Sequence, residues 1–475
     1  MKPIRQRAYA LDALRGYAII TMVLSATVVA GILPEWMYHA QTPPPTHAYI
    51  PEISGLTWVD LVFPFFLFAM GAALPFSIGS RVERGERWWK IGLDVVLRWL
   101  QLAFFAIFIQ HFYPYVLSSP QDLRSWGLAV AAFAVLFPMF MRFERVPMWG
   151  RVAIKVAAYG VAVAMLLTTT YASGRTFSPD FSNIIILILS NVALFAGVIY
   201  LATSAKCLHG AGRWVRIVLC AMLALLVMGA DVEGSWAGGA LHYSPVWWLL
   251  RFDYLRYLLI LLPAMEVGEM LRESMKASDV TEHNKTNDRW AVVLAVAAVV
   301  LIVATLGTVQ NHRIALWAVL SAALLIVMGV ASRKVAGSMG TLWQRLTLVA
   351  VVLMALGIMS EPLQGGIKKD PATLGYLFTT AGLAVVALVA LSVVVDFFGC
   401  RKATAFLWQS GQNPMVAYVA CDLVVYPLLN ATGAVALLWP LYATPWLGAL
   451  HGVILTTITV LITMLTTRKK WFWRT

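Results

Sequence analysis

Charge is scarce in this 475-residue chain: Asp, Glu, Lys and Arg make up 12% of it, against 60% hydrophobic residues. Mean hydropathy is +0.76. A soluble globular fold is excluded, because such chains carry about 25% charged residues. Long hydrophilic stretches are missing as well. The single exception, RESMKASDVTEHNKTNDR at 272–289, reads as a flexible inner linker between two bundles, 1–271 and 290–475. That leaves no soluble catalytic domain, so any chemistry takes place in or at a lipid bilayer. The four cysteines, Cys207, Cys220, Cys400 and Cys421, show no metal-ligand spacing and predict no disulfide framework. The phosphate loop G-x-x-x-x-G-K-[ST], H-E-x-x-H and G-x-S-x-G are absent too, so neither ATP nor a metal is indicated.

What the chain has is apolar length. Runs of roughly 20 residues, enough to cross about 30 Å of hydrocarbon, recur from 16–33 to 446–467. In the bilayer core the backbone must satisfy its own hydrogen bonds, and runs of this length do so as helices. Fourteen runs are countable, but 126–141 and 405–428 are short or polar. The expectation is an all-α polytopic bundle of 11 to 14 transmembrane helices. Although the formal net charge is +13, nucleic acid is not the expected partner, because the charge alternates with the loops. If the N-terminus is cytoplasmic, the inward segments hold 27 of the 36 Lys and Arg and the outward ones six. This positive-inside pattern predicts cytoplasmic termini and an even number of crossings. The N-terminal MKPIRQR and the first apolar run lack a small-residue cleavage site and are expected to be retained.

Chemistry-bearing residues concentrate in one corner. An external loop, PEWMYHAQTPPPTHAYIPEIS at 34–54, is stiffened by five prolines and fit to fold back as a lid. It offers His39 and His47 as groups that titrate near neutral pH, with Glu35 and Glu52 as possible orienting carboxylates. GLTWVDLVFPFFLFAMG follows at 55–71 and places Asp60 at the mouth of an apolar span, where a carboxylate is costly without a partner or a task. Thr57 is the expected N-cap, and Pro64 is expected to kink the helix. Asp60 reads as a helix N-terminal carboxylate that also holds a histidine ring in one tautomer.

Elsewhere, Asp12 and Arg15 in ALDALRG sit at i and i+3, either as a salt bridge or with Arg15 gripping phosphate. Asp94 and Arg98 have the spacing of an internal pair, and Arg256 has Glu266 or Glu269 as candidate partners on the same segment. Late in the chain, GQNPMVAY at 411–418 puts Gln412, Asn413 and Tyr418 beside a helix-breaking Pro414. Broken helices at membrane depth line cavities or lie buried in protein, so these groups are candidates for substrate contact or a capped kink.

LDALRG, the His-containing loop, GLTWVDLVFPFFLFAMG and GQNPMVAY together resemble the membrane-embedded acyltransferase family of heparan-α-glucosaminide N-acetyltransferase, bacterial homologues included. The resemblance implies acetyl transfer across a bacterial inner membrane, from cytoplasmic acetyl-CoA to the amine or hydroxyl of an extracytoplasmic sugar or glycan. It is compatible with a homodimer. The family's histidine lies in a His-Ala pair upstream of the G-L-T and Asp motif. Here His39-Ala40 and His47-Ala48 both qualify, and His47 is favoured as the nearer. The family's asparagine after the R-G motif has no counterpart; Ser25 and Ala26 stand there. On this reading His47, His39 and Asp60 are catalytic, whether by direct transfer or through an acetyl-histidine. Asp12, Arg15, Arg81 and Arg84 meet the acetyl-CoA phosphates, and Asn413, Gln412 and Tyr418 meet the acceptor. The competing class is a multi-span transporter or flippase, whose buried charges form a path; the chain shows no convincing internal repeat of the kind such proteins often have.

Overall fold

A computed structural model of the chain describes residues 7–28, 31–141, 143, 146–204, 210–276 and 283–473. Cys207 and the centre of the expected linker, 277–282, lie outside these residues. The described residues are all helix and loop, with isolated bridges but no strand. Among the described residues, thirteen helices are long and apolar enough to span a membrane: α1 Tyr9–Thr27, α2 Trp58–Glu83, α3 Trp88–His111, α4 Leu123–Phe140, α5 Met148–Thr168, α6 Ile184–Thr203, α7 Gly212–Ala230, and beyond the linker α9 Lys285–Gln310, α10 Ile314–Arg333, α11 Gly337–Gln364, α12 Leu374–Phe397, α14 Pro414–Ala431 and α15 Pro445–Arg468. A further long helix, α8 Leu258–Lys276, is made more polar by Glu266, Glu269, Arg272, Glu273 and Lys276 yet is largely buried against α2, α11 and α12. The short α13, Ala405–Gln412, precedes the break at Asn413-Pro414.

The two halves flanking the linker share one interior. α1 and α2, from the first half, pack on α12, α13 and α15, from the second. The innermost helices are α12 and α2, while α7 and α5 lie at the periphery. Without a hydrophobic force between helices in lipid, contact depends on close approach through small residues. Gly16 on α1 and Gly411 on α13 meet where these helices cross: a Cβ on Gly16 would overlap the Leu407 carbonyl, and one on Gly411 the Asp12 carbonyl. A Cβ on Gly268 of α8 would likewise overlap the Ala72 carbonyl of α2. The ends of α1 and α15 that carry the termini share one face of the bundle, here called the terminal face. The 31–57 loop and the 365–373 loop lie at the opposite, lid face.

Gly16→Ala is expected to destabilise the bundle by about 1–3 kcal/mol through overpacking at this crossing. Gly127→Ala on α4, where nothing stands within 4 Å, is expected to be neutral or mildly stabilising. Thermal melts followed by size-exclusion chromatography test the pair; equal behaviour would remove the crossing from the account.

Candidate functional site

At the lid face the local sequence explains the placement of Asp60. Thr57 is the N-cap of α2, and Asp60, at the third helical position, reaches back to accept the Thr57 amide at 3.1 Å, as in a capping box. The carboxylate is only 2% exposed, so it needs further donors. Ala40 supplies its amide to Oδ2 at 3.1 Å, and His39 brings Nδ1 within 2.6 Å of Oδ1. The Thr57 hydroxyl lies 3.1 Å from Oδ2 and donates to the Tyr38 carbonyl at 2.7 Å. Tyr376, fully buried on α12, donates to the Asp60 carbonyl at 2.9 Å. One acid therefore gathers the start of α2, the lid loop and α12.

The ring that Asp60 orients is His39, not His47. His47 has φ +51° and packs its ring edge-on against Tyr38, with centroids 4.4 Å apart; among the described residues its imidazole makes no hydrogen bond. Sequence proximity favoured His47, but the turn from Pro43 to His47, closed by the His47 amide on the Pro43 carbonyl, carries it away from the acid. Glu35 and Glu52 are exposed and pair with neither histidine. With Nδ1–H directed at Asp60, the imidazole presents Nε2 as its basic atom. The side chain is 38% exposed, so the nitrogen is reachable from the lid face.

A third group comes from the other half of the chain and was not singled out in the sequence. Lys369, half-buried in the loop before α12, places Nζ 3.2 Å from His39 Nδ1 and 3.3 Å from Nε2. These near-equal distances put the amine over the ring rather than along either lone pair. Burial lowers the Lys369 pKa below that of an exposed amine, against the opposing pull of Asp60 and Asp370. Its loop is clasped to the lid. Gln41 donates to the Asp370 carbonyl at 2.6 Å and accepts the Asp370 amide at 3.0 Å, Tyr49 donates to the same carbonyl, and Gly55 N–H reaches the Ile367 carbonyl. The basic pair Lys368-Lys369 counts only as loop charge in sequence; its role depends on a contact across 330 residues.

The remaining candidates lie away from this site. Asn413 is buried and fully used: its amide donates to Thr466 and to the Trp471 carbonyl, and its carbonyl accepts the Trp473 amide. It ties the C-terminal segment to the terminal face, and both of its amide hydrogens are committed there. Gln412, its half-buried neighbour, shares that location. Tyr418 donates to Asn183 at 2.9 Å in mid-bundle and lines a narrow apolar seam of about 30 Å³ with Ile19, Phe63, Phe105 and Met415. Arg15 contacts Asp12 at 3.7 Å and donates to the Gly411 and Ala69 carbonyls, while Asp12 takes a closer contact from Arg7 at 2.6 Å.

Several expected pairs are re-partnered. Asp94 meets Arg81 at 2.7 Å instead of Arg98, because it lies near the terminal face within reach of the α2–α3 turn. Arg81 and Arg84 both hold Glu86, so neither is a free phosphate clamp. Arg98 is left with an unpartnered, inaccessible Nε. Glu266 and Glu269 take Arg216 of α7, at 2.6 and 3.0 Å. Arg256 is ten residues from Glu266, about 15 Å along a helix, and contacts Asp253 instead.

Asp60→Ala removes the acceptor of two buried amides and of the His39 ring. The expected cost to the lid is about 3–5 kcal/mol, read as at least about a hundredfold faster amide exchange over 31–57. Unchanged protection would mean that the acid does not anchor the loop.

Comparison with known proteins adds a classification without an activity. No curated protein matches the chain. Residues 7–271 match a family described only as a domain of unknown function, DUF5009. That segment holds α1 to α7 and most of α8, with His39 and Asp60, whereas Lys369 lies beyond it. The chain is a polytopic membrane protein and belongs to the DUF5009 family.

Proposed function

We propose that the protein is a transmembrane acetyltransferase whose working group is His39 at the lid face. The observation that carries this reading is the 2.6 Å contact of His39 Nδ1 with a buried Asp60, which leaves Nε2 as a base on a partly exposed ring. The charge asymmetry of the loops supports a cytoplasmic terminal face and an external lid face.

In direct transfer, His39 Nε2 takes the proton from the acceptor's amine or hydroxyl as that nitrogen or oxygen bonds to the acetyl carbon. His39 returns the proton to the departing sulfur as the carbon–sulfur bond of acetyl-CoA breaks. Asp60 holds the tautomer and balances the transient imidazolium. Lys369 supplies positive charge where the tetrahedral oxyanion develops.

For the donor, Arg98, whose Nε has no partner, and Arg15, 3.7 Å from the Asp12 carboxylate, fit phosphate better than Arg81 and Arg84, which hold Glu86 at 2.7 and 2.8 Å. The seam between these arginines and the outer half of the bundle, at about 30 Å³, is too small for a pantetheine arm. Access therefore requires α14 to part from α1 and α3, and the Asn413-Pro414 break is the natural hinge for that movement. The acceptor is a sugar or glycan bearing an amine or hydroxyl, in keeping with the resemblance of the N-terminal motifs.

The test is release of free CoA from acetyl-CoA by purified protein across a panel of amino sugars. His39→Ala is expected to lower the rate by about 10²–10⁴-fold, and Lys369→Met by roughly a hundredfold. His47→Ala is expected to leave the rate nearly unchanged. Absence of CoA release, together with proton-coupled solute uptake in vesicles, would favour a transporter.

A further inference from the structure

Two cavities meet at Arg213 and Arg216 near the terminal face. One is a polar vestibule of about 480 Å³, lined by Arg213, Arg216, Arg272 and Lys276 together with Glu83, Glu269 and Glu273. The other is a groove of about 680 Å³ between α7, α8, α11 and α12, whose walls are almost entirely apolar. Leu225, Met228, Val352, Leu356 and Met359 line it and are exposed. From Leu348 to Leu363 the groove follows α11 for about 22 Å, roughly three-quarters of the ~30 Å hydrocarbon core. An opening of this kind, on the flank of a membrane bundle, is occupied by hydrocarbon.

The charges at the junction show that the occupant has a head. Arg216 is 3% exposed and satisfied by Glu266, Glu269 and Thr203. Arg213 is 55% exposed, and its nearest acid is Glu266 at 3.4 Å, already held by Arg216. Arg213 thus offers its guanidinium at the point where the apolar groove becomes a polar vestibule. Deeper in the vestibule the charges are paired, Lys276 with Glu83 at 3.1 Å and Glu273 with Arg345 at 2.8 Å. Phosphate suits Arg213, the mixed-sign vestibule suits a polar or zwitterionic headgroup, and an apolar wall about 22 Å long suits an extended acyl chain.

We propose that this composite cavity is a binding site for one glycerophospholipid, with its phosphate on Arg213 and an acyl chain between α7 and α11. The site is independent of His39, although its far end, at Ser360, Leu363 and Leu374, lies beside the loop that carries Lys369.

The test uses the full chain purified in detergent and incubated with phosphatidylethanolamine, phosphatidylglycerol or a diacylglycerol of equal chain length, followed by native mass spectrometry. The expected result is one retained phospholipid per chain and no retained diacylglycerol. Occupancy should fall at least tenfold in Arg213→Glu and, separately, in the groove-filling Val352→Trp, and stay unchanged in Arg333→Glu, an exposed site off the cavity. Matched elution and melting of the variants establish that they are folded. Equal retention of diacylglycerol, loss in Val352→Trp but not in Arg213→Glu, or cross-links placing a second copy over the groove would each overturn the proposal.

Discussion

A carboxylate buried at the mouth of an apolar bundle must be surrounded by donors, and the lid face of this protein is organised by that requirement. Asp60 receives the Thr57 amide of its own helix, the Ala40 amide of the lid and the His39 ring. The first contact is a local consequence of helix capping. The other two draw a proline-stiffened loop down onto the bundle, and the histidine's tautomer follows from them. The backbone carbonyl of the same residue accepts from Tyr376, so α12 is fastened at the same point.

Close approach of the two halves is the second condition. Gly16 against Leu407, and Gly411 against Asp12, bring α1 into contact with α13, and α12 lies deep against α1, α2 and α8. That interlocking allows a lysine at 369 to stand over a ring at 39. It also gives the bundle two chemically different faces. The terminal face holds paired arginines, a charged vestibule and Arg98, whereas the lid face holds the imidazole. Whatever passes from one face to the other has to open an apolar seam bounded by the Asn413-Pro414 break.

Much of this was legible in the sequence wherever the signal is local. Apolar run length predicted the helices, and the exception in hydropathy, α8, is explained by acids that pair with Arg216 across to α7. Thr57 and Asp60, three residues apart, predicted the cap. The choice between His39 and His47 was not legible, since it depends on the path of a loop with a turn at Pro43 that spacing does not encode. Lys369, the partner of Asp94, and the engagement of Asn413 by Trp471 and Trp473 all depend on contacts between segments distant in sequence or on adjacent helices. Such contacts leave no periodic trace.

The central claim is vectorial: an acetyl group given at the terminal face is received at the lid face, on a group deprotonated by His39. It is tested most directly in sealed vesicles with the terminal face outward, by adding labelled acetyl-CoA outside to an amino sugar trapped within. The account predicts labelled N-acetyl sugar accumulating inside while CoA appears outside, and neither occurring with His39→Ala. Equal accumulation by His39→Ala, or labelled acetyl-CoA itself entering the lumen, would contradict it.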